Sequence, residues 1–215
     1  MNKLMKSPKN LILYKDFENG KYNILIGTQM ISKGLNFKNV SLVGVISGDN
    51  SLNIPDFRSG ERTFDLLNQI TGRAGRFELE GTVIIQGFNI NHYSIVKAVE
   101  NDYEGFYNEE LNLRKILKYS PFYNLSLIKV KNNNYELVSI EANKIANYLR
   151  NQKHIDVYIL GPASAMIPKI NNVYELQIII KYKKSNDIVK DLEYINNLYK
   201  KNKVNVDIDR NPYLI

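Results

Sequence analysis

The chain has 215 residues, 44% of them hydrophobic, and a formal net charge of +7. That length accommodates one large or two small domains, and that apolar content supports a packed core, which excludes disorder throughout. Cysteine is absent, which excludes disulfides and any cysteine-based zinc site, and no apolar run approaches the ~18–20 residues of a membrane span.

The positive balance favours an anionic partner, although a composition rich in Lys, Asn, Ile and Tyr raises the charge without any function attached. The two histidines, His92 and His154, are too few for an ordinary zinc cluster, so no metal site is expected; they belong on solvated loops or helix ends. Met1–Asn10 is basic but lacks the apolar core of a signal segment, and a cytoplasmic protein is expected.

Leu11–Phe17 reads as a short strand leading into a helix, and Phe17-Glu18-Asn19-Gly20 as a helix end and turn. Asn23–Ile26 then reads as a short buried strand. It would deliver Gly27, Thr28 and Gln29 to the carboxyl edge of a parallel sheet, the edge at which α/β folds bind ligands. A hydroxyl and an amide suit phosphate or sugar contacts, and Lys33-Gly34 follows in a short turn. Taken alone, this stretch is equally a plain strand-to-helix turn with a capping threonine.

Ser41–Ile46 predicts a second buried strand, followed by a loop over Ser47–Arg58 whose carboxylates, Asp49 and Asp56, are expected to be solvated. A helix pattern runs from Glu61 with Phe64, Leu66, Leu67 and Ile70 on its apolar side. Gly72 stops it, because glycine accepts the backbone angles of a helix end. The stretch Gln69-Ile70-Thr71-Gly72-Arg73-Ala74-Gly75-Arg76 places two arginines after small residues. Each guanidinium is a planar fork of donors suited to phosphate. By itself an R-x-x-R pair is a helix end with two solvated arginines.

Gly81–Gln86 predicts a third strand, and helices follow over His92–Asn101 and Asp102–Leu117. Arg114, Lys115 and Lys118 suit the C-terminus of the latter. Ser120-Pro121-Phe122 breaks the pattern. The remainder reads β-α-β-β-α-β. Strands are expected at Asn124–Lys131, Val157–Leu160, Tyr174–Tyr182 and Val204–Ile208. The helices are Tyr135–Asn151 (through Leu137, Ile140, Ile145, Leu149) and Asp187–Lys201, with a turn over Gly161–Ala165. That order predicts a small ferredoxin-like or S10-like α+β domain. Tyr174, Lys181, Lys183 and Lys184 gather on or after one strand. Basic and aromatic residues on a sheet can hold single-stranded DNA, although tyrosine is common in strands and lysine protects edges.

The Gly27–Gly34 stretch, the Gln69–Arg76 stretch and Pro55-Asp56-Phe57-Arg58 with Glu61-Arg62 between them, in this order, resemble the second motor lobe of superfamily 2 helicases. Gly27–Gly34 is similar to motif V and Gln69–Arg76 to motif VI. Gly-Thr-Gln-Met with Lys-Gly, the Pro-Asp-Phe-Arg segment and Leu160-Gly161-Pro162 narrow the resemblance to the PriA (primosomal protein N′) family of replication-restart helicases, over nearly the whole chain. Glu175 departs from the family's usual arginine, and Asp207–Pro212 is longer than its usual ending.

The resemblance implies an α/β fold: a partial RecA-like lobe 2 with a parallel sheet over 1–95, a helical connection over 96–120, and the α+β domain over 121–215. It implies a bacterial ATP-dependent 3′-to-5′ DNA helicase of replication restart, with ATP and magnesium bound mainly by a first lobe. That lobe, the family's zinc-binding insert and its N-terminal DNA-binding part would precede residue 1. The chain holds no G-x-x-x-x-G-K-[ST] loop, so it is expected to be inactive alone. Arg73 and Arg76 would reach the nucleotide, with Arg76 as the finger; Gln69 would sense it; Gly27, Thr28, Gln29, Lys33 and Gly72 would couple it to DNA. Implied partners are forked and single-stranded DNA, the N-terminal half of the same helicase, and primosome and single-strand-binding proteins. The alternative is a non-catalytic fragment that binds DNA or partner proteins.

Overall fold

A computed structural model describes residues 8–28, 40–71 and 81–212. The chain divides into two compact units, Met1–Ile54 with Arg58–Asn108, and Pro55–Phe57 with Glu109–Ile215.

The first unit opens on helix α1 (Pro8–Glu18). Leu11–Phe17 is helical throughout, without the short strand expected to lead into the helix. The end is as expected: Gly20 takes φ +75°, and Lys21 N–H reaches back to the Asp16 carbonyl at 2.9 Å, closing the helix in a left-handed turn. Strands β1 (Leu42–Val45) and β2 (Thr82–Ile85) pair in parallel, Leu42 opposite Thr82 through Val45 opposite Ile85. Helix α2 (Ser59–Thr71) lies between them in sequence and buries Gly60, Thr63, Phe64 and Leu67, one stripe at i, i+3, i+4, i+7. The Thr63 hydroxyl is satisfied by the Ser59 carbonyl at 2.8 Å. Helix α3 (Tyr93–Val99) and the start of helix α4 (Tyr103–Ile116) complete the unit's core, where Phe64 and Phe106 stack with centroids 4.0 Å apart among Leu67, Ile95 and Ala98.

Two further expectations fail here. Asn23–Ile26 forms no strand, and Ile24 and Ile26 are 76% and 87% exposed. A strand exists through its ladder, and among the described residues the sheet has β1 and β2 only, so this segment finds no rung. Strand β1 is also half exposed rather than buried, with Leu42 and Ile46 open to solvent.

In the second unit, β3 (Asn124–Asn132), α5 (Tyr135–Asn151), β4 (Val157–Ile170), β5 (Val173–Tyr182), α6 (Ser185–Tyr199) and β6 (Asn205–Asp209) follow the expected β-α-β-β-α-β order. The sheet order is β4-β5-β3-β6 and every pairing is antiparallel, so β3 and β4 run parallel on either side of β5, the split arrangement of ferredoxin-like domains. One sheet face meets both helices: Ile128, Val130, Ile178 and Ile180 pack against Val138, Ala142, Ile145, Leu149, Ile188, Leu192 and Ile195. The Asn134 side chain accepts the Leu137 amide at 3.1 Å and starts α5.

Strand β4 is longer than expected. The Gly161–Ala165 turn is instead a run of irregular register inside the strand, between Leu160 and Ala163 and again between Ser164 and Lys169. Gly161 takes φ +91°, and a Cβ there would stand 2.6 Å from the Gln177 carbonyl oxygen. The hairpin turns on Asn171 and Asn172, both at positive φ, which suits a two-residue loop.

Candidate functional site

The carboxyl ends of β1 and β2 are tied together by backbone and by one carboxylate. Gln86 N–H donates to the Val45 carbonyl at 2.9 Å, and Gly48 N–H to the Gln86 carbonyl at 2.8 Å. Asp49, expected in solvent, is 5% exposed. Its Oδ2 accepts the amides of Phe88 and Asn89 at 2.8 Å each, clasping the loop after β2 to the loop after β1. The Asn89 amide holds the Asp49 carboxyl below the ordinary carboxylate value, burial opposes it, and the Phe88 amide adds to it. Close approach explains two glycines: a Cβ on Gly87 would lie 2.7 Å from Asp49 Oδ1, and one on Gly48 2.7 Å from Ile85 Cγ2. Phe88 itself stands fully exposed beyond the clasp.

At the carboxyl edge of a parallel sheet the sequence led us to expect Gly27, Thr28 and Gln29, with Gln69 and the two arginines after the end of α2. Gly27 and Thr28 are exposed and lie outside any strand or helix. Gln69 is exposed on the last turn of α2. Gln29, Lys33, Gly72, Arg73 and Arg76 lie outside the described residues. Among the described residues no group of three or more His, Cys, Asp or Glu is placed to hold a metal ion. Among those residues no helix is long and apolar enough to cross a membrane.

The four candidates on or just after β5 separate. Tyr174 and Lys181 are seven residues apart on one strand, about 23 Å at the rise of an extended chain. Tyr174 meets the Tyr135 ring edge-on at 5.5 Å and lies under the Lys169 ammonium at 4.7 Å. Lys181 is 6% exposed and turned inward; its Nζ donates to the Leu117 carbonyl at 2.8 Å and stands 3.4 Å from the centre of the Tyr119 ring. Burial, and then neighbouring Lys118, lower its pKa. Lys183 pairs with Asp156 at 3.0 Å, and Lys184 is the exposed N-cap residue of α6. The cations at the end of α4 are engaged too: Arg114 Nε bonds Glu110 at 2.7 Å, and the Lys118 ammonium sits 3.5 Å over the Tyr158 ring.

The histidines differ from each other. His92 caps α3 through Nδ1, which accepts the Ser94 amide at 3.3 Å. His154 is half-buried against Asp191, which also accepts the Tyr148 hydroxyl at 3.0 Å. Asp56, like Asp49, is buried rather than solvated.

Residues 1–78 match the family described as helicase conserved C-terminal domain, and residues 115–213 match that described as primosomal protein N C-terminal domain. The chain is similar to proteins named replication restart protein PriA. The Bacillus subtilis protein is 44% identical over 207 residues, 94% of this chain and 26% of that protein. The Borreliella burgdorferi protein is 41% identical over 171 residues, 80% of this chain and 26% of that protein. The Synechocystis protein is 37% identical over 203 residues, 94% of this chain and 24% of that protein. The chain thus spans about a quarter of the length of these relatives.

Proposed function

Because the chain belongs to the PriA family of replication restart proteins, we propose that it supplies the second motor lobe and the C-terminal domain of an ATP-dependent 3′-to-5′ DNA helicase that reopens stalled forks. The observation that carries this reading is the helicase C-terminal match over residues 1–78, which contains every motor position named from the sequence. Those positions are Gly27, Thr28, Gln29, Lys33, Gln69, Gly72, Arg73 and Arg76.

In this mechanism ATP and magnesium are held mainly by a first lobe, and the chain's own residues complete the site. Arg76 stabilises the charge that develops on the transferring phosphoryl group, a role worth roughly 10³–10⁵ in rate, and Arg73 assists it. Gln69, on the last turn of α2, orients groups at the nucleotide. Gly27, Thr28, Gln29 and Lys33 contact the DNA backbone and pass its position to the nucleotide site. Forked and single-stranded DNA is the substrate class; primosome and single-strand-binding proteins are the partners proposed with it.

The test is a chimera in which this chain replaces the matching quarter of the Bacillus subtilis relative. DNA-stimulated ATP hydrolysis is expected from the chimera and not from the 215-residue chain alone. Hydrolysis by the isolated chain, or its absence from a folded, DNA-binding chimera, contradicts the reading.

A further inference from the structure

The antiparallel sheet of the second unit rests one face on α5 and α6, through Ile128, Val130, Ile178 and Ile180. Side chains alternate along a strand, so Leu125 and Leu127 of β3 belong to the other face. They lie outside the helix-backed core, yet they are 6% and 1% exposed. Leu125 stands opposite Lys181 of β5, which stands opposite Tyr158 of β4, so the three form one row across that face.

Leu117–Tyr123, the segment between α4 and β3, meets this row from both directions. Lys181 reaches out to the segment: its Nζ donates to the Leu117 carbonyl at 2.8 Å and stands 3.4 Å from the centre of the Tyr119 ring. The segment returns the contact, with Lys118 Nζ 3.5 Å from the centre of the Tyr158 ring. Tyr123, also buried, meets the Tyr158 ring edge-on at 5.9 Å. A positive charge over an aromatic face is attracted by the ring's quadrupole, more strongly where water is excluded. A buried ammonium costs free energy unless its charge is met, and a carbonyl and a ring of this one segment meet that of Lys181. The segment also has bonds of its own: Lys118 takes φ +58° where α4 ends, and the amides of Phe122 and Tyr123 donate to the Tyr119 carbonyl at 3.0 and 3.2 Å.

We propose that Leu117–Tyr123 is a strap, fastened over this row by two reciprocal cation–ring contacts, Lys181 to Tyr119 and Lys118 to Tyr158, and that it opens and recloses as one local unit while the helix-backed face stays folded. Opening uncovers Leu125 and lets water reach the Lys181 ammonium, so the charge is met in either state. Lys181, a DNA contact in the sequence reading, is in this role a fastener. Tyr119 serves with its ring face rather than its hydroxyl. The strap lies within the second unit, and its opening does not depend on the motor reading.

Amide hydrogen exchange on the 215-residue chain tests the strap, with Lys181→Met, Lys118→Met, Tyr119→Leu and Tyr119→Phe. In Lys181→Met and Tyr119→Leu the amides of Phe122 and Tyr123 are expected to exchange about tenfold faster, both by a common factor, while those of Ile128, Val130, Ile178 and Ile180 keep their protection. Lys118→Met, at a less buried position, is expected to act in the same direction and tests the strap even where Lys181→Met does not fold. Tyr119→Phe retains the ring and is expected to match the parent. Unchanged exchange at Phe122 and Tyr123 in Lys118→Met and Tyr119→Leu overturns the proposal. So does an equal rise at Ile128, Val130, Ile178 and Ile180, which is global loss of stability, and so does Tyr119→Phe behaving as Tyr119→Leu.

Discussion

The carboxylate of Asp49 accepts the backbone amide of Asn89, 40 residues along the chain, at 2.8 Å. With the Phe88 amide on the same oxygen, it joins the loops that leave the two parallel strands.

Asp49 makes the first unit sensitive to acid, and the sign follows from its lowered pKa. A carboxyl whose folded pKa lies below its unfolded value contributes stability above the unfolded value and loses it as pH falls through the folded one. Asp49→Ala is expected to remove that contribution at neutral pH and to flatten the acid limb of stability. Urea titrations at neutral pH and at successive acid steps check it. A parent and variant that differ equally at every pH contradict the assignment.

Tyr199 gives the opposite sign in the second unit. Its hydroxyl donates to Glu141 at 2.7 Å, and burial first, then that hydrogen bond, push its pKa well above the ordinary tyrosine value. Stability from a raised group is present below the unfolded pKa and is lost as pH rises through the folded one. Tyr199→Phe is expected to cost about 0.5–1.5 kcal/mol at neutral pH and to make alkaline unfolding less steep. Absorbance titration of the phenolates should show one fewer late-titrating group.

Gly161→Ala combines a φ of +91° with a Cβ 2.6 Å from the Gln177 carbonyl. The expected loss is about 1–3 kcal/mol, read as a lower urea midpoint. An unchanged midpoint would show that β4 can shift its register to accept the methyl.

Leu149 and Ile140 both looked like core positions of α5 in the sequence. Leu149 is buried and Ile140 is about half exposed. Leu149→Ala is expected to cost about 2–5 kcal/mol, and Ile140→Ala no more than about 0.5 kcal/mol. Thermal unfolding of the two variants separates them.

That contrast shows what was legible. The β-α-β-β-α-β order was readable because strand and helix periods alternate cleanly from Asn124 to Asp209. The stripe on α5 was misread because its seam passes through small residues, Ala142 and Ala146, which bulk-based reading discounts beside Ile140. Strand β4 was cut short at Gly161-Pro162, a pair that ordinarily signals a turn but here sits inside an irregular strand. In the first unit, Ile24 and Ile26 alternate as a strand should, yet alternation reports a preference and pairing needs a neighbour. The buried state of Asp49 had no local signal, because it depends on Phe88 and Asn89, distant in sequence. The resemblance proposes motor residues by type and order; of these, Gln69 at the end of α2 and the exposed Gly27 and Thr28 lie within the described structure.

The most direct measurement of the central claim is DNA-stimulated ATP hydrolysis by the chimera carrying Arg76→Ala, with DNA affinity measured in parallel over a salt series. The expected result is a fall of roughly 10³-fold or more in kcat with affinity and its salt slope preserved. Hydrolysis at the parent rate with alanine at position 76 contradicts the account.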